Sequence, residues 1–261
     1  MKKKDVLISV TGGASVFLLF PVHRIRQVTG KDYRLRVSMD EAVKDYKGLQ
    51  FLSGFSCRRL ALEQHSRTAV EESSQALFFP SQEGNPTITL ELKDGLYSHS
   101  MWDYSFQALY KITLDKNSLT TELNVKNTDE KPFSFGTTLH TYFNAFVSGA
   151  SVRGLKGCKT LNKDPDPKNP VEGKEERDTV TFPGFVDCIY LDAPEELHLD
   201  NGLGDSITIK NTNWSDTVLW NPHLTMESCY KDFVCVENAK IGQVQLQPNE
   251  TWTAVQHLSL V

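Results

Sequence analysis

The sequence predicts an all-β fold, a large antiparallel sandwich, on three observations. Apolar residues recur with period two, helical periodicity is nearly absent, and short apolar runs are divided by Asn, Asp, Gly and Pro turns. The clearest alternation places Phe106, Ala108, Tyr110, Ile112 and Leu114 on one face. Leu119, Thr121, Leu123 and Val125 repeat the device, with Thr120, Glu122, Asn124 and Lys126 on the opposite face. Asp115, Lys116, Asn117 and Ser118 stand between the two runs, which predicts a hairpin. Further strands are expected at 87–92, 133–139, 179–182, 207–210, 217–220, 233–237, 243–246 and 252–258. At the N-terminus, MKKK followed by DVLISVTGGASVFLLFPV imitates a secretion signal, but Asp5, Thr11, Gly12 and Gly13 interrupt the apolar run. Two short strands joined by a Gly-Gly turn are the better reading.

Two segments depart from this pattern. Residues 162–177 hold Pro165, Pro167, Pro170 and Gly173 among charged side chains, the composition of a solvated connection. Residues 51–75 lack alternation and carry Arg58, Arg59, Glu63, His65, Arg67, Glu71 and Glu72, compatible with a short helix or an irregular loop. There is no internal repeat and no linker long enough to divide the chain. Residues 1–261 are therefore expected to form one domain, with 51–80 as its divergent stretch.

A chain of 261 residues with 39% hydrophobic and 23% charged residues has ordinary globular composition. It is long enough to build a full core without disulfides or metal. The 28 basic residues against 33 acidic ones give a net charge of -5, and no basic cluster follows Lys2, Lys3 and Lys4. A nucleic-acid surface needs concentrated positive charge to displace counterions, so that class is excluded. The expected partner is a small molecule, with neither nucleic acid nor membrane. The cysteines Cys57, Cys158, Cys188, Cys229 and Cys235 are odd in number and form no C-x-x-C pair. They read as free thiols in a reducing, cytoplasmic setting rather than as a zinc or redox motif.

Three clusters could carry chemistry. FSFGTTLHTYF, from Phe133, ends a β-rich run in His140 among polar and aromatic neighbours; an imidazole exchanges protons near neutral pH, and a structural histidine is the alternative. In VCVE, from Val234, Glu237 closes an apolar segment, where desolvation would raise its proton affinity; a surface strand end is the alternative. DTVLWNP, from Asp216, offers Trp220 and Asn221, an aromatic face and an amide suited to sugars; a core tryptophan before an Asn-Pro turn is equally compatible.

In order along the chain, HTYF, GLKG from Gly154, VDCIYL from Val186, DTVLWNP, DFVCVENA and LQPNETW resemble the glucose-6-phosphate 1-epimerases, hexose-6-phosphate mutarotases of the galactose mutarotase-like superfamily. GASVFLL, GKDYRLRVSMDEAV and KGLQ at Lys47 carry a weaker likeness. The resemblance implies a galactose mutarotase-like β-supersandwich, a monomer, that interconverts the α and β anomers of glucose 6-phosphate or a related aldohexose phosphate by acid/base ring opening. It implies His140 and Glu237 as catalytic acid and base, Asp187 as a substrate-binding carboxylate, and no metal or cofactor.

Departures from the family pattern fall where a phosphate would be held. The K-x-I-R-G-G-I-P segment appears as Lys47-Gly-Leu-Gln50-Phe51-Leu52, so its arginine is Gln50 and both glycines are lost. Of Q-H-G-F-A-R only Gln64 and His65 survive, with Ala69 in place of the arginine and Arg67 two residues earlier. Gln64, His65, Arg67 and Asn221 complete the expected substrate-binding set. Each missing guanidinium removes a bidentate phosphate contact that Gln or Lys cannot reproduce. Weak phosphosugar affinity follows, and with it a second reading: a catalytically weak or inactive carbohydrate-binding relative with an impaired phosphate site. An altered reading frame across 51–80 would leave the same signature.

Overall fold

A computed structural model describes residues 4–12, 14–22, 74–77, 87–99, 102–114 and 118–261. The strands are β1 (Lys4–Gly12), β2 (Ala14–Val22), β3 (Ser74–Leu77), β4 (Thr87–Lys93), β5 (Phe106–Leu114), β6 (Ser118–Asn127), β7 (Phe133–Leu139), β8 (Tyr142–Asn144) and β9 (Ser151–Arg153). They continue as β10 (Lys159–Asn162), β11 (Val171–Lys174), β12 (Thr179–Thr181), β13 (Val186–Leu191), β14 (Glu196–Asp200), β15 (Ser206–Thr212), β16 (Asp216–Asn221), β17 (Phe233–Leu246) and β18 (Thr251–Leu260). Among the described residues the one α-helix is the single turn α1 (Leu96–His99), and no helix is long and apolar enough to cross a membrane. The strands fall in two antiparallel sheets, as an all-β sandwich requires. The chain divides into two compact units, Met1–Thr137 with Gly242–Val255, and Thr138–Ile241 with Gln256–Val261.

In the first unit, β1 and β2 pair antiparallel with Gly12 opposite Ala14, the two adjacent N-terminal strands that were expected. β5 and β6 form the predicted hairpin, Phe106 opposite Asn127 and Leu114 opposite Leu119. The forecast alternation is the burial pattern: Phe106, Ala108, Tyr110 and Ile112 are buried on β5, and Leu119, Thr121, Leu123 and Val125 on β6. Removing each such large side chain from water stabilises the fold by about 1.5–3 kcal/mol. Trp102 anchors the aromatic end of this core, with ring centroids 4.8 Å from Phe133 and 5.7 Å from Phe106. The expected 51–75 irregularity lies outside the described residues except at β3, which pairs with β4 as a strand.

The second unit is a sandwich in its own right. β11, β10, β13, β16 and β17 lie side by side, with β8 also on β17, while β12, β9, β14 and β15 form the other layer. Phe143, Tyr190, Leu219, Val234 and Val236 from the first layer pack with Val152, Val180, Leu197, Leu199 and Ile209 from the second. Two expectations change here. The 162–177 connection contains β11, an all-exposed edge strand paired with β10, Lys159 opposite Lys174. Its charges suit an edge that must not recruit further strands. The separate strands expected at 233–237 and 243–246 are one strand, β17. In GLKG, Gly154 and Gly157 have φ of +108° and +90°, the turn conformation that glycine adopts without steric cost.

Candidate active site

Strand register assembles the site. Asp187 on β13 lies opposite Trp220 on β16, Trp220 opposite Cys235 on β17, and Cys235 opposite Tyr142 on β8. Directly opposed residues share a sheet face, so these four form one row, with Glu237 two residues along from Cys235 on the same side. The intervening residues Cys188, Leu219, Val234 and Val236 turn the other way, into or against the sandwich core. Period two thus separates a packed face from a face of ionisable and aromatic groups.

His140 follows the last residue of β7 and completes the row's chemistry. Its ring stacks on Tyr142 at 4.6 Å and 8°, and meets the Trp220 edge at 5.4 Å. Its Nε2 lies 3.1 Å from Glu237 Oε1, with only 12% of the His140 side chain and 6% of the Glu237 side chain exposed. Burial dominates both proton affinities. Desolvation, with a smaller push from the Lys163 cation, takes His140 down to about 3. Desolvation first, then the Asp187 charge, raises Glu237 well above the usual carboxylate range. Both directions favour uncharged partners, so the contact is a buried hydrogen bond carrying one shared proton rather than an ion pair. The other nitrogen, Nδ1, is buried without a partner among the described residues.

Asp187 is buried, and its Oδ2 lies 3.0 Å from Lys163 Nζ. The Lys163 amide also donates to the Asp187 carbonyl at 2.8 Å, so backbone and side chain fix the same pair. Lys163 had no signal in the sequence: in a Pro-rich charged segment it looks solvated, and only the pairing of β10 with β13 carries it to Asp187. Cys235, fully buried, places its sulfur in the same cluster as His140 and Glu237, the three donor atoms lying within 4.8 Å of one another.

Asn221 sits differently from the expectation. It is fully buried, its amide donating to the carbonyls of Tyr230 at 2.9 Å and Phe233 at 2.8 Å, while its oxygen accepts from the His223 amide at 2.9 Å. Both N–H donors are committed to backbone, so Asn221 holds the 222–233 crossover in place and has no donor left for a sugar. Gln64, His65 and Arg67 lie outside the described residues. The structure therefore brings together His140, Glu237 and Asp187 of the expected set, and adds Lys163, Cys235 and Tyr142. Among the described residues, Cys158, Cys188, Cys229 and Cys235 form no disulfide.

The second unit thus presents, on one strand face of an antiparallel two-layer β fold, a buried imidazole–carboxylate pair able to exchange a proton. The aldose 1-epimerase family pattern matches residues 69–259, well over half of the chain, and the chain belongs to that isomerase family. A Cenchrus ciliaris protein provisionally named a glucose-6-phosphate 1-epimerase is 30% identical over 187 residues, covering 67% of this chain and 56% of its own length. A solved structure of a provisionally named Salmonella typhimurium mutarotase is 24% identical with a TM-score of 0.62, covering 71% of this chain and 64% of that one. A galactose mutarotase-like protein of Clostridium acetobutylicum is 13% identical with a TM-score of 0.60, covering 72% and 66%. These structures support the mutarotase-like fold. The chain spans between half and two thirds of the length of the first two relatives.

Proposed function

We propose that this chain interconverts the α and β anomers of an aldohexose by ring opening, with glucose 6-phosphate or a related aldohexose phosphate as its substrate. The 3.1 Å contact between His140 Nε2 and Glu237 Oε1, on the strand face that also presents Asp187, carries this reading. Ring opening of a hemiacetal moves one proton from the anomeric hydroxyl and delivers one to the ring oxygen. The two oxygens share a carbon, so a single pyranose presents both to one pair of side chains.

With the shared proton moved across the hydrogen bond onto His140, Glu237 takes the proton of the anomeric hydroxyl while His140 gives its own to the ring oxygen. The C1–ring oxygen bond breaks and leaves an aldehyde. Rotation about the bond beside C1 and reclosure with the roles exchanged gives the other anomer, and the pair ends with the proton count it began with. At 3.1 Å the two groups leave no space for an atom between them. Binding therefore exchanges their mutual hydrogen bond for two bonds to the sugar, so no buried polar group is left bare. Asp187, held by Lys163, is placed to accept from a ring hydroxyl, and Trp220 and Tyr142 offer ring faces to the sugar C–H groups.

Gln50 and Ala69, standing where the family pattern has arginines, favour the second reading, a carbohydrate-binding relative with weak catalysis and a weakened phosphate site. Magnetisation-exchange NMR on glucose and glucose 6-phosphate separates the two. Faster anomer exchange on addition of the chain supports catalysis, and the ratio of the two rates reads how far Gln50 and Ala69 weaken the hold on the phosphate. Saturable binding without faster exchange supports the second reading, and neither binding nor exchange overturns both.

A further inference from the structure

We propose that His140, Cys235 and Glu237 form a three-ligand site for a thiophilic divalent cation, Zn2+ foremost, whose occupation blocks the proton shuttle. The imidazole nitrogen, the thiol sulfur and the carboxylate oxygen lie within 4.8 Å of one another. In a tetrahedral zinc centre, with bonds of about 2.0–2.3 Å, donor atoms stand about 3.4–3.7 Å apart. The His140–Glu237 edge is already at 3.1 Å. The set closes on a metal by side-chain shifts of about 1 Å or less, with no movement of strands.

The donor types select the ion. One sulfur, one nitrogen and one oxygen match zinc and cobalt, and the buried thiol disfavours magnesium and calcium, which take oxygen alone. A thiolate and a carboxylate bring two negative charges that the ion cancels, so the loaded site is neutral in its buried setting. Nothing in the mutarotase chemistry calls for a sulfur there. Two of the three ligands sit on one strand at positions i and i+2, and the third directly follows the last residue of β7, so the sheet fixes their spacing. The fourth coordination position stays open to water or a sugar hydroxyl. Access is through His140, the most exposed of the three side chains. The missing partner at Nδ1 leaves the imidazole without the outer hydrogen bond that strengthens zinc histidines, which makes this a reversible, inhibitory site rather than a permanent cofactor centre.

The consequence for catalysis rests on the anomer-exchange reading, whereas the existence of the site does not, and the experiment separates them. Metal-stripped full-length chain is titrated with Co2+ and followed by absorption, then with Zn2+ in competition. The expected result is one cobalt per chain with a near-ultraviolet sulfur-to-cobalt charge-transfer band, displaced by Zn2+. Cys235→Ala removes the band and weakens zinc binding more than about 100-fold, since even outer-shell losses cost roughly 10–100-fold. Glu237→Gln and His140→Gln weaken binding while the band persists. Absence of the band in the unmodified chain, or its persistence in Cys235→Ala, overturns the site. If Cys235→Ala fails to fold by circular dichroism, unchanged zinc affinity in both Glu237→Gln and His140→Gln overturns it instead. Anomer exchange should stop in Zn2+ and return with EDTA; exchange unaffected by a bound ion overturns the blocking role alone. Should the chain show no exchange at all, the cobalt band still decides the site.

Discussion

His99 and His140 each lie about 3 Å from carboxylates, one in each unit, and their surroundings drive them in opposite directions. His99 ends α1 with Nε2 2.9 Å from Asp94 and Nδ1 2.9 Å from Asp103. Its ring is one-third exposed, and Asp103 is almost fully so. A neutral imidazole carries one N–H and can satisfy one of these two carboxylates, so the geometry asks for the imidazolium, and hydrogen bonding to Asp94, then Asp103, raises its proton affinity. Among the described residues His140 has one carboxylate contact, Glu237, and it is mostly desolvated, so its proton affinity falls. The lesson is that a His–carboxylate distance does not define a charge state. Number of acceptors and access to water do, and the same pair of residue types makes a charged surface clamp in one place and a buried, uncharged hydrogen-bonded pair in another.

The largest expected effect breaks the couple. His140→Ala and Glu237→Gln should each slow anomer exchange by about 100- to 10,000-fold, the usual range for removing one general acid or base. His99→Ala should leave it within twofold. Exchange rates from NMR line-shape analysis check this, and parent-like rates in either site variant would show that the buried pair is a structural contact and the contrast with His99 empty.

How much of this was visible beforehand depends on whether burial left a mark on the side chains. β5 and β6 were legible because each alternates apolar with polar, and β7 coincided with its expected bounds. β11 was not, because an edge strand exposed on all four residues carries no alternation to read. β17 was read as two pieces because Asn238 and Lys240 interrupt its apolar run. Asn238 is nonetheless buried within the strand, and the Ile241 amide that follows donates to Asp216 at 2.8 Å, holding the strand through the break. In the site, His140 and Glu237 were candidates by residue type with a structural alternative left open, and only the family likeness gave them and Asp187 their expected roles. Lys163 and the Cys235 row could not be read, since they depend on register between strands far apart in sequence. Asn221 shows the converse: the residue type suggested a ligand contact, and the fold uses it as a bracket.

That bracket gives the next effect in size, on stability rather than rate. Asn221→Ala would strip hydrogen bonds from the Tyr230 and Phe233 carbonyls and the His223 amide in a buried setting. A loss of about 3 kcal/mol in urea unfolding is expected, the cost of leaving buried backbone groups unpaired. A loss under about 1 kcal/mol would mean that the 222–233 crossover is held by other contacts. Asn221→Asp tests the same point more finely, since it keeps the acceptor for His223 and removes both donors; it should destabilise as well.

The smallest expected effect lies at His99, and its sign follows from the raised proton affinity. A histidine that binds its proton more tightly in the folded chain than in the unfolded one contributes stability that is complete below its ordinary value near 6.5. That contribution is lost as pH climbs through the higher folded value. Stability from this clamp should therefore decline between mildly acidic and mildly alkaline pH. Exposure and salt screen the pair, so the decline stays below about 1 kcal/mol and shrinks at high ionic strength. The clamp still has something to lose, because Asp94 also accepts the Phe106 amide at the start of β5, and a slackened His99 would loosen that strand end first. Urea unfolding of the parent and of His99→Gln at pH 6 and pH 9 isolates the term as the difference between the two pH slopes. Equal slopes would sink the claim that two carboxylates on one ring, rather than the general charge of the surface, hold the proton there.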